Sequence, residues 1–186
     1  MLKDKARFLM VLVVILLLIG FYGFAVFTNS KSYIANKDLT HDELTKCIDQ
    51  YWFQGKPINF TIELEKDVDN LHLLLLSYQP TPNFPQVTGL AVFKRLPNNK
   101  YKYDIFFQGS SLSQSSQTVV VTNEGSNLEK QYGVFYGMIA DNQPTRYLFT
   151  INGGKEFIDT FKKNKYFINV YDLNHHNGFA MQPIDN

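Results

Sequence analysis

Cysteine is almost missing. Cys47 is the only one in 186 residues, which excludes an intrachain disulfide framework. The glycine motifs that cradle phosphate are missing too, since neither G-x-G-x-x-G nor G-x-x-x-x-G-K-[ST] occurs. No G-x-S-x-G elbow is present either. The densest serine tract, Ser110 to Gln117 (SSLSQSSQ), has the composition of a flexible polar loop. Charge of one sign is also lacking. The formal net charge is +1, with +2 carried by residues 1–7 and −1 by the remainder. A nearly neutral chain has no basic field for nucleic acid, so no nucleic-acid partner is expected. The same survey implies no bound cofactor.

What the chain does have is one long apolar run, Phe8 to Phe27 (FLMVLVVILLLIGFYGFAVF), without a charge. A bilayer core needs about 20 apolar residues in a helix, which satisfies its own backbone hydrogen bonds. The run therefore predicts a single transmembrane anchor with the lipid bilayer as its partner. Lys3, Lys5 and Arg7 outweigh Asp4 on the short preceding flank, which predicts a cytoplasmic N-terminus. Phe21, Tyr22, Phe24 and Phe27 crowd the opposite end, where aromatic rings favour the headgroup boundary. A cleaved signal peptide is the alternative. Against it stand a run longer than the usual h-region of about 7–15 residues and a poor cleavage site at Gly23-Phe24-Ala25.

The expected organisation is a cytoplasmic tail (1–7), the anchor (8–27), a polar tether (28–37) and an extracytoplasmic domain (38–186), with a sub-boundary at 110–117. That domain has the length of a single core-forming unit. An exported domain without disulfides fits a bacterial envelope.

Past the tether, Thr40 and Glu43 form a capping box, with Asp42 and Glu43 in the first turn and Leu39 and Leu44 at the staple positions. Leu44, Cys47, Ile48, Tyr51 and Trp52 recur on one face, and Gly55 and Pro57 end the pattern. The spacing predicts an amphipathic helix over Thr40 to Gln54, with Leu44, Ile48 and Trp52 as its core stripe. From Ile58 the period becomes two. Ile58, Phe60, Ile62 and Leu64 define a buried face, with Glu63 and Glu65 on the opposite one. Lys66 to Asn70 has turn composition. Leu71 to Tyr78 (LHLLLLSY) is apolar on both faces, as a covered central strand requires. Further short strands follow at Gly89 to Leu96, Tyr101 to Gln108, Thr118 to Thr122, Gln131 to Ile139, Arg146 to Ile151, around Phe157, Tyr166 to Leu173 and Phe179 to Gln182. The fold class is α+β, mostly β, with an antiparallel meander or a β-sandwich behind the anchor and the one helix.

Chemistry-bearing residues are few. His175 and His176, with Asp172 three residues before, are the metal candidates, set against an exposed turn. His41 lies beside Asp42 and Glu43, but successive helical residues splay apart, and capping accounts for the trio. His72 falls in an apolar strand, where a core or edge histidine is expected. Cys47 falls on the apolar helix face as a small hydrophobe. No catalytic residue is assigned.

The segments GLAVFKRLPNNKYKYD and YGVFYGMIADNQPTRYLFTINGGKEF, behind one N-terminal span, resemble small envelope-anchored proteins of uncharacterised function from low-GC Gram-positive bacteria. The resemblance implies location and a β-rich fold and transfers no functional residues. The chain departs from the lipoprotein members of that group in having no lipobox cysteine. The functional expectation is a tethered, non-catalytic extracytoplasmic module that binds a protein or envelope component. The alternatives are an envelope hydrolase using His175, His176 or Asp172, and an accessory subunit of a membrane complex.

Overall fold

The structure is a computed structural model, and it describes residues 37–53, 56, 58–111, 116–123, 130–151, 154–173 and 178–184. The apolar run Phe8 to Phe27, the histidine pair 175–176 and nearly all of the tether lie outside these residues. The chain divides into two units, Met1–Lys37 and Asp38–Asn186. The account below concerns the second.

It opens with helix α1 (His41–Trp52). The Glu43 carboxylate accepts the Thr40 backbone N–H at 2.8 Å and the Thr40 hydroxyl at 3.1 Å. That closes the first turn, where backbone donors would otherwise lack partners. Leu44, Cys47 and Ile48 are buried. Trp52 lies over Phe106 with ring centroids 4.5 Å apart.

Among the described residues the rest is antiparallel β, apart from a 3-10 turn at Pro97–Asn99 and an isolated parallel bridge between Ile139 and Lys163. Strands β1 (Phe60–Val68), β2 (Leu71–Tyr78), β3 (Val87–Leu96) and β4 (Lys100–Ser111) form a meander in sequence order. β5 (Ser116–Asn123), β6 (Lys130–Met138) and β9 (Tyr166–Asp172) form a second sheet, with β6 in the middle. β7 (Arg146–Ile151), β8 (Lys155–Thr160) and β10 (Phe179–Ile184) form a third, with β7 in the middle. Pro183 sits on an edge strand, the position in a sheet where proline is tolerated.

The sheets stack in layers. Leu71, Leu73, Leu75, Leu90 and Val92 of the meander share a core with Val121, Tyr132, Val134, Tyr136 and Ile168 of the second sheet. The alternate residues Leu74, Leu76, Ala91 and Phe93 are also fully buried and face α1. Leu71 to Tyr78 is accordingly buried at every position. On the far side of the second sheet, Phe135 and Ile139 pack with Tyr147, Phe149 and Phe161. Phe179 rests where Gly133 has no side chain, since a Cβ there would come within 2.6 Å of its ring. The expected mostly-β class with antiparallel sheets and one helix holds among the described residues, and the strands divide into a four-stranded meander and two three-stranded sheets. The polar tract 110–117 spans the passage from β4 to β5, where the chain leaves the first sheet for the second.

Two local readings need correction. Lys66, Asp67 and Val68 are strand, and only Asp69 and Asn70 turn, with Val68 paired to Leu71. Asp69 takes φ 50°, a left-handed conformation that a short polar side chain tolerates. The alternation in β1 is also broken by a bulge between Ile62 and Leu64. Ile62 opposes Leu76 while Glu65 opposes Leu74, so Ile62 and Glu65 share the α1 side. Leu64, expected in the core, opposes Leu75 and is 37% exposed.

Candidate metal centre

Three segments meet at the N-terminal end of α1. Leu39 pairs with Tyr101 of β4 through both backbone bonds, at 2.7 and 2.8 Å. That bridge sets the first helical turn over the end of the meander where β1 turns into β2. The bulge in β1 turns Glu65 and Asp67 together to the α1 side, where Asp67 opposes His72 across the hairpin. A bulge re-aims the side chains that follow it.

His41 does not engage its sequence neighbours in chemistry. Its Nε2 lies 3.1 Å from Oε2 of Glu65, 24 residues away. His72 lies beneath and is 4% exposed. Its Nδ1 is 2.6 Å from Oδ1 of Asp67. A carboxylate only accepts, so this contact places a proton on Nδ1. The other Asp67 oxygen accepts from Nη1 of Arg95 at 3.0 Å. His72 Nε2 is buried without a hydrogen bond, 3.7 Å from the same Glu65 oxygen that meets His41. The Tyr101 ring lies 4.9 Å from that of His72 and 6.1 Å from that of His41, between centroids. It forms an apolar wall. One ligand-capable atom each from His41, Glu65 and His72 falls within 4.8 Å of the others.

The residues singled out in the sequence stand elsewhere. His175 and His176 lie outside the described residues. Asp172 is exposed at the end of β9, where its charge acts on Lys130 and Tyr132. Cys47 is buried, and desolvation pushes its thiol up to about 11, which leaves it un-ionised at neutral pH and a poor nucleophile. Thr40 and Glu43 are engaged at the helix cap, and Leu44 and Ile48 in the core.

Two grooves open at the opposite end of the β1–β2 hairpin, around Tyr78. One, about 210 Å³, is lined by Trp52, Phe53, Ile58 and Phe106 among others. The second, about 390 Å³, is lined by Asn59, Thr61, Ser77, Gln79 and Gln86. Neither gathers a carboxylate or an imidazole. Among the described residues the histidine–carboxylate cluster has the richest chemistry.

Sequence reasoning missed Glu65 and Asp67 as partners of His72. A signal did exist: a two-residue Asp69-Asn70 turn between Val68 and Leu71 sets Asp67 directly opposite His72. The approach of His41 from the helix depends on tertiary packing that no local pattern encodes. Comparisons with family models, curated proteins and solved structures gave no match to this chain.

Proposed function

We propose that the chain is a membrane-tethered extracytoplasmic module, non-catalytic, whose folded domain engages a protein or another component of the cell envelope. The observation that carries this reading is the charge-free run Phe8 to Phe27, preceded by a cationic flank and followed by a folded unit that starts at Asp38. Among the described residues no helix is long and apolar enough to cross a membrane. The anchoring role therefore rests on the N-terminal run alone. The near-neutral charge of the remainder suits a neutral or mixed partner surface over a polyanion. The aromatic residues of the three sheets are largely committed to ring–ring packing inside the domain, and they serve its rigidity.

Fractionation tests the tether. The full chain should pellet with membranes, resist carbonate extraction, and lose residues 38–186 to protease added outside intact spheroplasts. Recovery of a soluble polypeptide beginning near Val26 from the medium would overturn it. For the binding half, in-cell crosslinking should recover one envelope component in fixed ratio to the chain. Turnover of a wall polymer by the purified protein would replace this reading with a hydrolase.

A further inference from the structure

We propose that His41, Glu65 and His72 form a binding site for a divalent transition-metal ion of the zinc class. Asp67 and Arg95 serve as its supporting shell. The donor set is two imidazole nitrogens and one carboxylate oxygen. Imidazole suits zinc, nickel, copper and iron, whereas magnesium and calcium prefer all-oxygen shells.

The spacing fits. A tetrahedral ion with ligands at about 2.0–2.1 Å holds its ligand atoms about 3.4 Å apart. The two contacts to Glu65 Oε2 are 3.1 Å from His41 and 3.7 Å from His72. The side chains of His41 and Glu65 are 54% and 41% exposed, so both can adjust without disturbing the core. His72 is fixed.

The buried histidine supplies the strongest argument. Its Nδ1–H donates to Asp67, and Arg95 holds that carboxylate in turn. A ligating histidine characteristically spends its second nitrogen on such a carboxylate, which fixes the tautomer and raises the basicity of the ligating atom. Nε2, the atom so prepared, is buried, makes no hydrogen bond and points toward the Glu65 oxygen. A nitrogen lone pair facing a carboxylate is electrostatically unfavourable unless a cation lies between them. An ion shared with His41 Nε2, which lies 3.1 Å from the same oxygen, would meet that need. Three protein ligands leave a fourth tetrahedral position, which would open on the exposed side of His41 and Glu65. The ion would join the first turn of α1 to the β1–β2 hairpin, so that binding and the docking of the helix become linked. The inference is independent of the side of a membrane on which the domain lies.

The test uses the full-length chain in mild detergent, stripped of metal with EDTA. Zn²⁺ should raise its melting temperature by several degrees, with reversal by EDTA, and Co²⁺ should give the intense visible absorption of a tetrahedral site. His41→Ala and Glu65→Gln alter exposed side chains and should leave the metal-free melting temperature within about 2 °C. Each should weaken Zn²⁺ binding on the order of 100-fold, and Asp67→Asn about 10–100-fold. A His175→Ala/His176→Ala double variant should bind as the parent does. Four results would each overturn the proposal: no Zn²⁺ response up to millimolar concentration, a response retained in both His41→Ala and Glu65→Gln, loss of the response in the 175/176 variant, or equal stabilisation by Mg²⁺. The first would leave the His41–Glu65 contact as a plain hydrogen bond.

Discussion

A Cβ on Gly109 would sit 1.4 Å from the Thr88 carbonyl oxygen, and backbone cannot swing aside as a flexible side chain can. The reason is local. The β3–β4 register slips between Val87 and Gly89, so the bulged stretch of β4 lies against Thr88. Gly109→Ala should cost about 1–3 kcal/mol through overpacking, measured as a lower urea midpoint at constant slope. Gly154→Ala is the matched control. Nothing lies within 4 Å of its Cβ position, and the change should stay within about 0.5 kcal/mol. At the same scale, the buried Cys47 thiol should resist alkylation in the native protein and react on unfolding.

Helix α1 is the element on which the candidate metal centre depends, because it carries His41. Ile48 is fully buried against the meander, and Ile48→Ala should cost about 2–5 kcal/mol. Cys47 next to it would then alkylate at lower urea than in the parent, whereas Lys46→Ala, on the exposed face, should change neither readout by more than about 0.5 kcal/mol. This helix was legible in the sequence, since its cap, its apolar stripe and its stop are all local signals. So were most strands, whose alternation or continuous apolarity reports burial directly. The bulge in β1 was not. It depends on how Ile62 and Leu64 pair with β2, and a period-two reading of Phe60 to Glu65 therefore puts Leu64 inside and Glu65 outside. The charges of Lys66 and Asp67 hid the last three residues of β1, Lys66 to Val68, because an edge strand tolerates charge where a central strand does not. The site was half-legible at most. Its histidines could be seen, but the carboxylates that make sense of them were assigned to a solvent face and a turn. The third sheet was likewise out of reach, since its order β10-β7-β8 brings together strands that no local pattern pairs.

At the scale of the molecule, Asp69 in the β1–β2 turn joins the meander to the second sheet, accepting from Tyr132 and from Lys130 Nζ. The Tyr132 and Lys130 bonds hold its carboxyl below the usual value. A depressed carboxyl stabilises the fold above its unfolded pKa, and the contribution is lost as pH falls through the folded value. Stability should therefore decline below about pH 4. Asp69→Asn should flatten that limb, and salt should weaken the exposed pair. At the other extreme, burial pushes Tyr78 up to about 12 and raises Tyr136, Tyr132 and Tyr171 as well. A raised phenol costs nothing below its unfolded pKa of about 10 and destabilises as pH climbs beyond it. Alkaline unfolding should begin there and coincide with tyrosinate absorbance. The Leu39–Tyr101 bridge has a further consequence, a mechanical one. A load applied at Asp38, where this unit begins, reaches this pair of amide bonds first, then α1, and only afterwards the β ladders. Tension would peel α1 from the meander and draw His41 away from Glu65 before the sheets behind are loaded.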